Sequence, residues 1–409
     1  MAKSPLMPVA EALARINGAL KPLAPESVSV AEAYGRVLAE DIAARVTQPP
    51  VAVSAMDGYA VRAADVATVP TTLKVIGEAP AGAAFEGSVG ASEAVRIFTG
   101  APVPDGADTI VIQEDTARDG DTVTVREGSA EGRYIRPAGL DFSVGDKRLA
   151  AGRMLTARDI GLAAAMNVPW LMVTRKPRIA LLATGDEIVK PGDTLGPNKI
   201  VSSNALALAA LITARGGEPI DLGIAPDNRA SLAAMADGAR GADMLITLGG
   251  ASVGDHDLVQ SVLGEQGLEV DFWRIAMRPG KPLMFGSIGE TPMLGLPGNP
   301  VSSLVCGLVF VSAAIHTMLG RSGDYLETDT AQLGRDLPPN DERQDYLRAT
   351  LTRADDGALI ATPFDKQDSS MLTRLAAAQA LVVRPPHAAA AATGATVPIV
   401  RIEAPDQGL

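Results

Sequence analysis

Cysteine is almost absent from this chain. Cys306 stands alone among 409 residues, which excludes an internal disulfide and fits a reducing compartment. With only three histidines, far apart, a structural zinc site has no obvious ligand set, and hard oxygen donors remain. Aromatic residues make up 3% of the chain, so its cores must be built from Ala, Val, Leu and Ile. Basic residues are in the minority, 36 against 48 acidic, for a net charge of −12. That balance argues against a nucleic-acid surface, though a few cations gathered in one cleft can still hold a small anion. The opening stretch MAKSPLMPVAEALARI lacks the continuous apolar core of a secretory segment. It reads as an amphipathic helix on Val9, Leu13 and Ile16, with no export and a cytoplasmic location expected. Val301 to Leu319 is nearly long enough to span a bilayer, but its serines and His316 predict a buried core helix and no membrane partner.

What the chain does have is a Gly-rich turn after a buried strand. LGGASVGDHD (Leu248–Asp257) follows the apolar run ADMLITL. Gly249, Gly250 and Gly254 allow a close backbone approach, and Ser252 adds a hydroxyl, so such a turn can present several N–H donors to an anion. Asp255 and Asp257 would repel a bare phosphate, which suggests a divalent cation between acid and ligand. Around this turn, from Lys176 on, strands alternate with helices: PRIALLATGDE, then SSNALALAALITARGG, then GGEPIDLGIAPD, then NRASLAAMADGARGA. Such alternation predicts right-handed βαβ units and a parallel sheet. Three strands then end in acidic loops, at Asp186 and Glu187, at Asp227, and at Asp255 and Asp257, on the edge where open α/β sheets bind ligands.

A basic turn follows. Arg278 and Lys281 flank Pro279-Gly280, which is expected to leave both cations on one side. Gly298, Asn299 and Pro300 precede a long helix with Ser302 and Ser303 in its first turn, and free N–H groups and hydroxyls there make an oxyanion binder. Elsewhere, residues 1 to about 45 read as helical, with Val30, Ala33, Val37 and Leu38 on one face. Residues from about 46 to 136 read as a small β domain carrying the tight turn Met56-Asp57-Gly58. A second helical stretch opens on Thr156 as N-cap. From about residue 328, the runs QDYLRATL, GALIATPF, ALVVRPP and VPIVRI read as a last β domain. Helical segments on both sides of the first β domain suggest that it is an insertion.

The stretches SAMDGYAV, RIFTGAPVP, LLATGDEIV, TLGGASVGDHD, MRPGKP and GLPGNPVSSL together resemble the molybdopterin molybdenumtransferase family, the MoeA type related to the gephyrin E domain, over nearly the whole chain. The resemblance implies a multidomain α/β plus β fold. An elongated mixed N-terminal domain (1–45 and 138–175) would carry an inserted β domain (46–137). A central three-layer α/β domain with a mostly parallel sheet (176–327) and a C-terminal β domain (328–409) would follow. It implies insertion of molybdate into adenylylated molybdopterin with release of AMP, assisted by Mg²⁺, in a homodimer. Molybdopterin adenylyltransferase and molybdoenzyme chaperones are its implied protein partners.

Residue by residue, the resemblance implies that Asp57 and Thr99 complete the partner subunit's site, and that Glu187, Asp227 and Asp257 are its acids and hold the metal. Lys281, Ser302 and the Gly298–Pro300 turn would hold oxyanion or pterin, and Arg348 and Ser369 would take molybdate. Arg278 departs from the family's motif, which has Lys there, and a planar fork is not a point charge. Asp57, Thr99, Asp227 and Lys281 are thus the expected catalytic residues, and the Gly249–Gly254 turn, Arg278, Pro300, Ser302, Arg348 and Ser369 the expected substrate contacts. Two other readings are a pterin adenylyltransferase using Mg·ATP on the same scaffold, and a non-catalytic scaffold that only binds pterin or a partner.

Overall fold

The computed structural model describes residues 6–249 and 258–402. Two helices precede the central sheet, α1 (Val9–Ala19) and α2 (Ala157–Ala165). The sheet has six strands: β1 (Arg178–Thr184), β2 (Glu218–Ala225), β3 (Met244–Leu248), β4 (Leu268–Trp273), β5 (Met284–Ile288) and β6 (Thr291–Leu296). Their order is β2-β1-β3-β6-β5-β4, the first four parallel and β5 antiparallel to its neighbours β6 and β4. Crossovers are made by α3 (Asn204–Ala214), α4 (Arg229–Ala236) and α5 (Leu258–Glu265), and α6 (Pro300–Met318) follows β6.

Alternation along β1 shows why three layers form, since successive side chains on a strand face opposite ways. Ile179, Leu181 and Ala183 join Leu208 and Ile212 of α3 and Val305 and Val309 of α6 in one core. Ala180 and Leu182 join Leu232 of α4 and Val262 and Leu263 of α5 in the other. The face of α1 that carries Val9, Ala12 and Ile16 also packs into the first core. The apolar helix α6 is a core helix, 83% buried over its most hydrophobic window, with a π-helical turn at Gly307–Val311.

The expected helix over residues 25–45 does not form. Pro25–Ser29 is instead a strand paired with Trp170–Thr174, and Ile42–Ala43 pairs with Lys147–Leu149. Val30, Ala33 and Leu38 are buried or half-buried there because the far segment with Leu155, Met166 and Leu171 covers them, not because they share a helix face. Helix α2 begins at Thr156 as expected, with a full capping box in which Asp159 answers the N-cap. Between these segments, Val53–Ser54 pairs with Ile135–Arg136 at the base of a six-stranded sheet that contains Gly58–Val61 at its second position.

In the C-terminal sheet, Gln344–Arg353, Leu359–Pro363, Thr328–Leu333, Thr396–Arg401 and Ala380–Arg384 follow one another, and Ala380–Arg384 pairs back on Gln344–Arg353 to close a barrel. Thr328–Leu333 is invisible to hydrophobic patterning because four of its six residues are exposed. Met277–Arg278, from the α/β segment, adds to this barrel beside Gln344 and Asp345.

Cys306 lies fully buried on α6, and burial pushes its thiol up. A disulfide reagent is therefore expected to leave the native protein unmodified and to take up one equivalent after denaturation. Rapid native labelling would show that this core opens.

Candidate active site at the sheet edge

The carboxyl ends of β1, β2, β3 and β6 lie side by side, and the loops that leave them are locked to one another. The Asp227 amide donates to Asp186 Oδ1 at 3.0 Å, and the Asp186 amide donates to Asp227 Oδ2 at 3.3 Å. Each carboxylate thus fixes the other's backbone and keeps one oxygen for a ligand. The Lys199 ammonium donates to the Asp186 carbonyl. At Gly185 (φ +136°) a Cβ would sit 2.7 Å from the Glu187 carboxylate, which folds back over that glycine. A cleft of about 480 Å³ opens between the two loops, with Asp186, Lys190, Asp193 and Pro226 on its rim.

Gly249 leaves β3 at φ +93°, where a Cβ would stand 3.0 Å from the Thr184 carbonyl of β1. Glycine at this position lets the two strand ends close up. Gly250, Ser252, Gly254 and Asp257 lie outside the described residues, as do Asp255 and His256. Across the edge, Asn204 at the start of α3 donates to the Gly298 carbonyl at 2.7 Å and holds the turn before α6. Ser302 and Ser303 are buried, and Ser303 Oγ has no hydrogen-bond partner among the described residues.

Two features of this edge differ from the sequence expectation. The first turn of α6 is not fully open, because the Val301 amide donates to the Ser369 carbonyl at 3.1 Å. The barrel segment with Ser369 therefore sits against Pro300 and Ser302. Nor do Arg278 and Lys281 act together. Arg278 turns into the barrel, donating to Asp341 and Asn340 at 3.0 Å each and to Asp345. Lys281 is exposed and has no ion pair among the described residues. The reason is strand pairing, since Met277–Arg278 runs parallel to Gln344–Asp345.

Arg348 is 1% exposed. It donates to Gln367 Oε1 at 3.0 Å and to the Asp368 carbonyl at 2.7 Å, so it holds the segment that carries Ser369. Burial lowers its proton affinity, with Asp368 opposing. Lys199 and Asn204 emerge only from the geometry, as does the pairing of Asp186 with the Asp227 loop. The TGDE motif marks two acids but cannot tell which one faces β2.

Asp57 and Thr99 come together beside the six-stranded sheet that contains Gly58–Val61. Asp57 Oδ1 accepts from the Thr99 amide at 2.7 Å and from its hydroxyl at 2.8 Å. No hydrogen bond or ion pair among the described residues joins this pair to the α/β loops. The Thr99 amide and hydroxyl lower the Asp57 carboxyl below its ordinary value, burial opposing weakly. A depressed carboxyl contributes stability that is present above its unfolded value and lost as pH falls through its folded one. Replacing Thr99 by Val removes one donor, so carbon-detected NMR titration should show Asp57 titrating at higher pH than in the parent. An unchanged midpoint would mean that the hydroxyl contributes nothing.

The acids suit a hard cation. Mg²⁺ is usually bound by one or two carboxylates, with waters and substrate phosphate completing its shell. Asp227, with one carboxylate oxygen spare, and Glu187 in the adjoining loop supply such a donor set. Among the described residues, no group of three or more His, Cys, Asp or Glu is gathered into a metal cage.

Three family models match the chain: the MoeA N-terminal region (domain I and II) over residues 7–167, a probable molybdopterin binding domain over 180–317, and the MoeA C-terminal region (domain IV) over 330–402. A molybdopterin molybdenumtransferase of a Nostoc species is 36% identical over 369 residues, spanning 88% of this chain and 85% of that protein. The Bacillus subtilis molybdopterin molybdenumtransferase is 34% identical over 405 residues, spanning 97% and 94%. A crystal structure of the molybdopterin biosynthesis MoeA protein from Pyrococcus horikoshii superposes with a TM-score of 0.84 at 28% identity, covering 97% of this chain and 100% of that one.

Proposed function

Because this chain belongs to the molybdopterin molybdenumtransferase family, enzymes of molybdenum cofactor biosynthesis, we propose that it inserts molybdate into adenylylated molybdopterin and releases AMP with the help of Mg²⁺. The observation that carries this reading is the Asp186–Asp227 lock at the carboxyl edge of a parallel sheet, next to the start of α6. Asp227 and Glu187 would hold the Mg²⁺, joined by Asp257 from outside the described residues. The ion, when bound, supplies Lewis-acid charge at the adenylyl phosphate.

The chain's own groups position and neutralise. Lys281, exposed and unpaired among the described residues, provides a mobile point charge for a dianion. Gly249 lets the backbone approach the ligand, and the Gly298–Pro300 turn with Ser302 presents the start of α6 to it. Arg348 sets Ser369 against that helix start, so the barrel bounds the oxyanion site. Arg278 ties the barrel to the α/β segment through Asp341 and Asp345.

Asp57 and Thr99 would complete the site of a partner subunit in a homodimer. Supporting this are the lack, among the described residues, of any bond from this pair to the α/β loops and the exposed apolar side chains Tyr34, Leu140, Val144 and Trp170, at 56%, 59%, 64% and 61% exposure. A shared site makes a sharp forecast: mixing inactive Asp57→Asn and Asp227→Asn proteins restores activity, because each mixed dimer regains one intact site. A mixture that stays inactive after subunit exchange would confine both residues to one subunit's site.

The direct test is AMP release from adenylylated molybdopterin when molybdate and Mg²⁺ are added to the purified protein. Molybdate-dependent release with active cofactor formed supports insertion. Tight binding of both substrates without release would overturn it.

A further inference from the structure

The C-terminal barrel contains a cavity of 330 Å³ that the proposed reaction leaves unused. This is within the range of small-molecule sites, about 300 to 1,000 Å³. Leu347, Phe364 and Pro338 give it apolar walls, and its other end is charged. There Arg278, Asp345 and Arg384 stand directly opposite one another on three neighbouring strands, so their side chains share one face.

One cation at that end stands without an ion pair among the described residues. Arg278 and Arg343 share Asp341 and Asp345 between them, and Arg335 takes Asp365. Arg384 is left over. It is 5% exposed, and its Nη2 donates to the carbonyls of Pro338 and Ala389. Among the described residues it has no carboxylate partner. Burying a cation without a counter-ion is costly, and one bound negative charge would restore the balance. A dianion would meet Asp345, whose Oδ1 is buried without a hydrogen-bond partner among the described residues. The apolar walls call for an organic body behind the anionic group.

We propose that this cavity binds a small organic monocarboxylate, with the carboxylate on Arg384 and the apolar body between Leu347 and Phe364. Arg384 offers a planar fork that matches a carboxylate. The site is distinct from Arg348 and Ser369, whose contacts run toward α6, and the inference does not rest on the molybdate reading.

The experiment uses the full chain and calorimetric titration with 3-phenylpropionate, its neutral amide, inorganic phosphate and a short peptide ending in Phe. The acid is expected to bind, and the amide and phosphate at least about tenfold more weakly, as the loss of one charged hydrogen-bonding group implies. Arg384→Gln should weaken the acid by a similar factor and leave the amide unchanged. Because Arg384 is buried, that variant can fail to fold. Leu347→Trp fills the cavity without touching a charge and should abolish acid binding by itself. Equal binding of acid and amide, phosphate binding as tight as the acid, or acid binding that survives Leu347→Trp would each overturn the proposal. A peptide that binds more tightly than the free acid would reassign the cavity to a chain terminus, and no acid binding at millimolar probe would refute it outright.

Discussion

Asp227→Asn is expected to lower the rate of AMP release about a hundredfold while leaving the fold intact. The two consequences separate because Asp227 does two things. Its carboxylate accepts the Asp186 amide, and its own amide answers the Asp186 carboxylate. An asparagine keeps an oxygen acceptor, so the lock survives and the loops after β1 and β2 stay together. What is lost is the negative charge on the carboxylate, whose second oxygen takes no part in the lock and would take the cation. Losing one preorganised electrostatic group in a site of this kind typically costs about 10² to 10³ in rate. Asp227→Ala should do more, since it also strands the Asp186 amide and loosens both loops. The informative readouts are the Mg²⁺ concentration for half-maximal release, which should rise in Asp227→Asn, and the melting temperature, which should not move. Parental turnover in a folded Asp227→Asn protein would remove this residue from the mechanism.

Arg348→Ala is expected to destabilise the C-terminal barrel by about 3 to 5 kcal/mol, the range found for large buried side chains cut to alanine. The guanidinium fills space at 1% exposure, and its removal deletes the bonds to Gln367 and the Asp368 carbonyl. Hydrogen bonds to charged groups are worth about 1.5 to 3 kcal/mol, so the loss is not simply one of volume. The damage should travel along a defined route. Arg348 holds residues 367–368, the next residue is Ser369, and the Ser369 carbonyl accepts the Val301 amide at the start of α6. Hydrogen exchange at Val301 should therefore speed up in Arg348→Ala, and Arg348→Lys should not restore it because an ammonium cannot span both acceptors as a fork does. If Val301 stayed protected while the barrel melted early, Arg348 would be a barrel residue with no influence on the site.

Much of the architecture was legible from pattern. The run RIALLAT is apolar at every position but its ends because both faces of β1 are covered, and the acids directly after β1 and β2 fall together at the carboxyl edge of the sheet. The capping box at Thr156 and the core character of α6 could likewise be read from neighbouring residues. Residues 25–45 misled because apolar positions at helical spacing also arise in a chain that zigzags against a distant segment, here residues 147–174. The strand at Thr328–Leu333 escaped because most of it faces solvent.

The sequence by itself determined which groups are at hand: acids at strand ends, a single inert thiol, cations around one Pro-Gly turn, and a Gly-rich approach to them. These are properties of residue type and local spacing, which the chain carries wherever it folds. Tertiary structure alone decided how those groups are employed. Strand pairing sent Arg278 into the barrel and left Lys281 outside. Loop packing made Asp186 and Asp227 each other's anchors, and barrel closure put Ser369 on α6 and left Arg384 buried without a carboxylate partner among the described residues. Such outcomes depend on contacts between segments tens to hundreds of residues apart, and no local pattern encodes them.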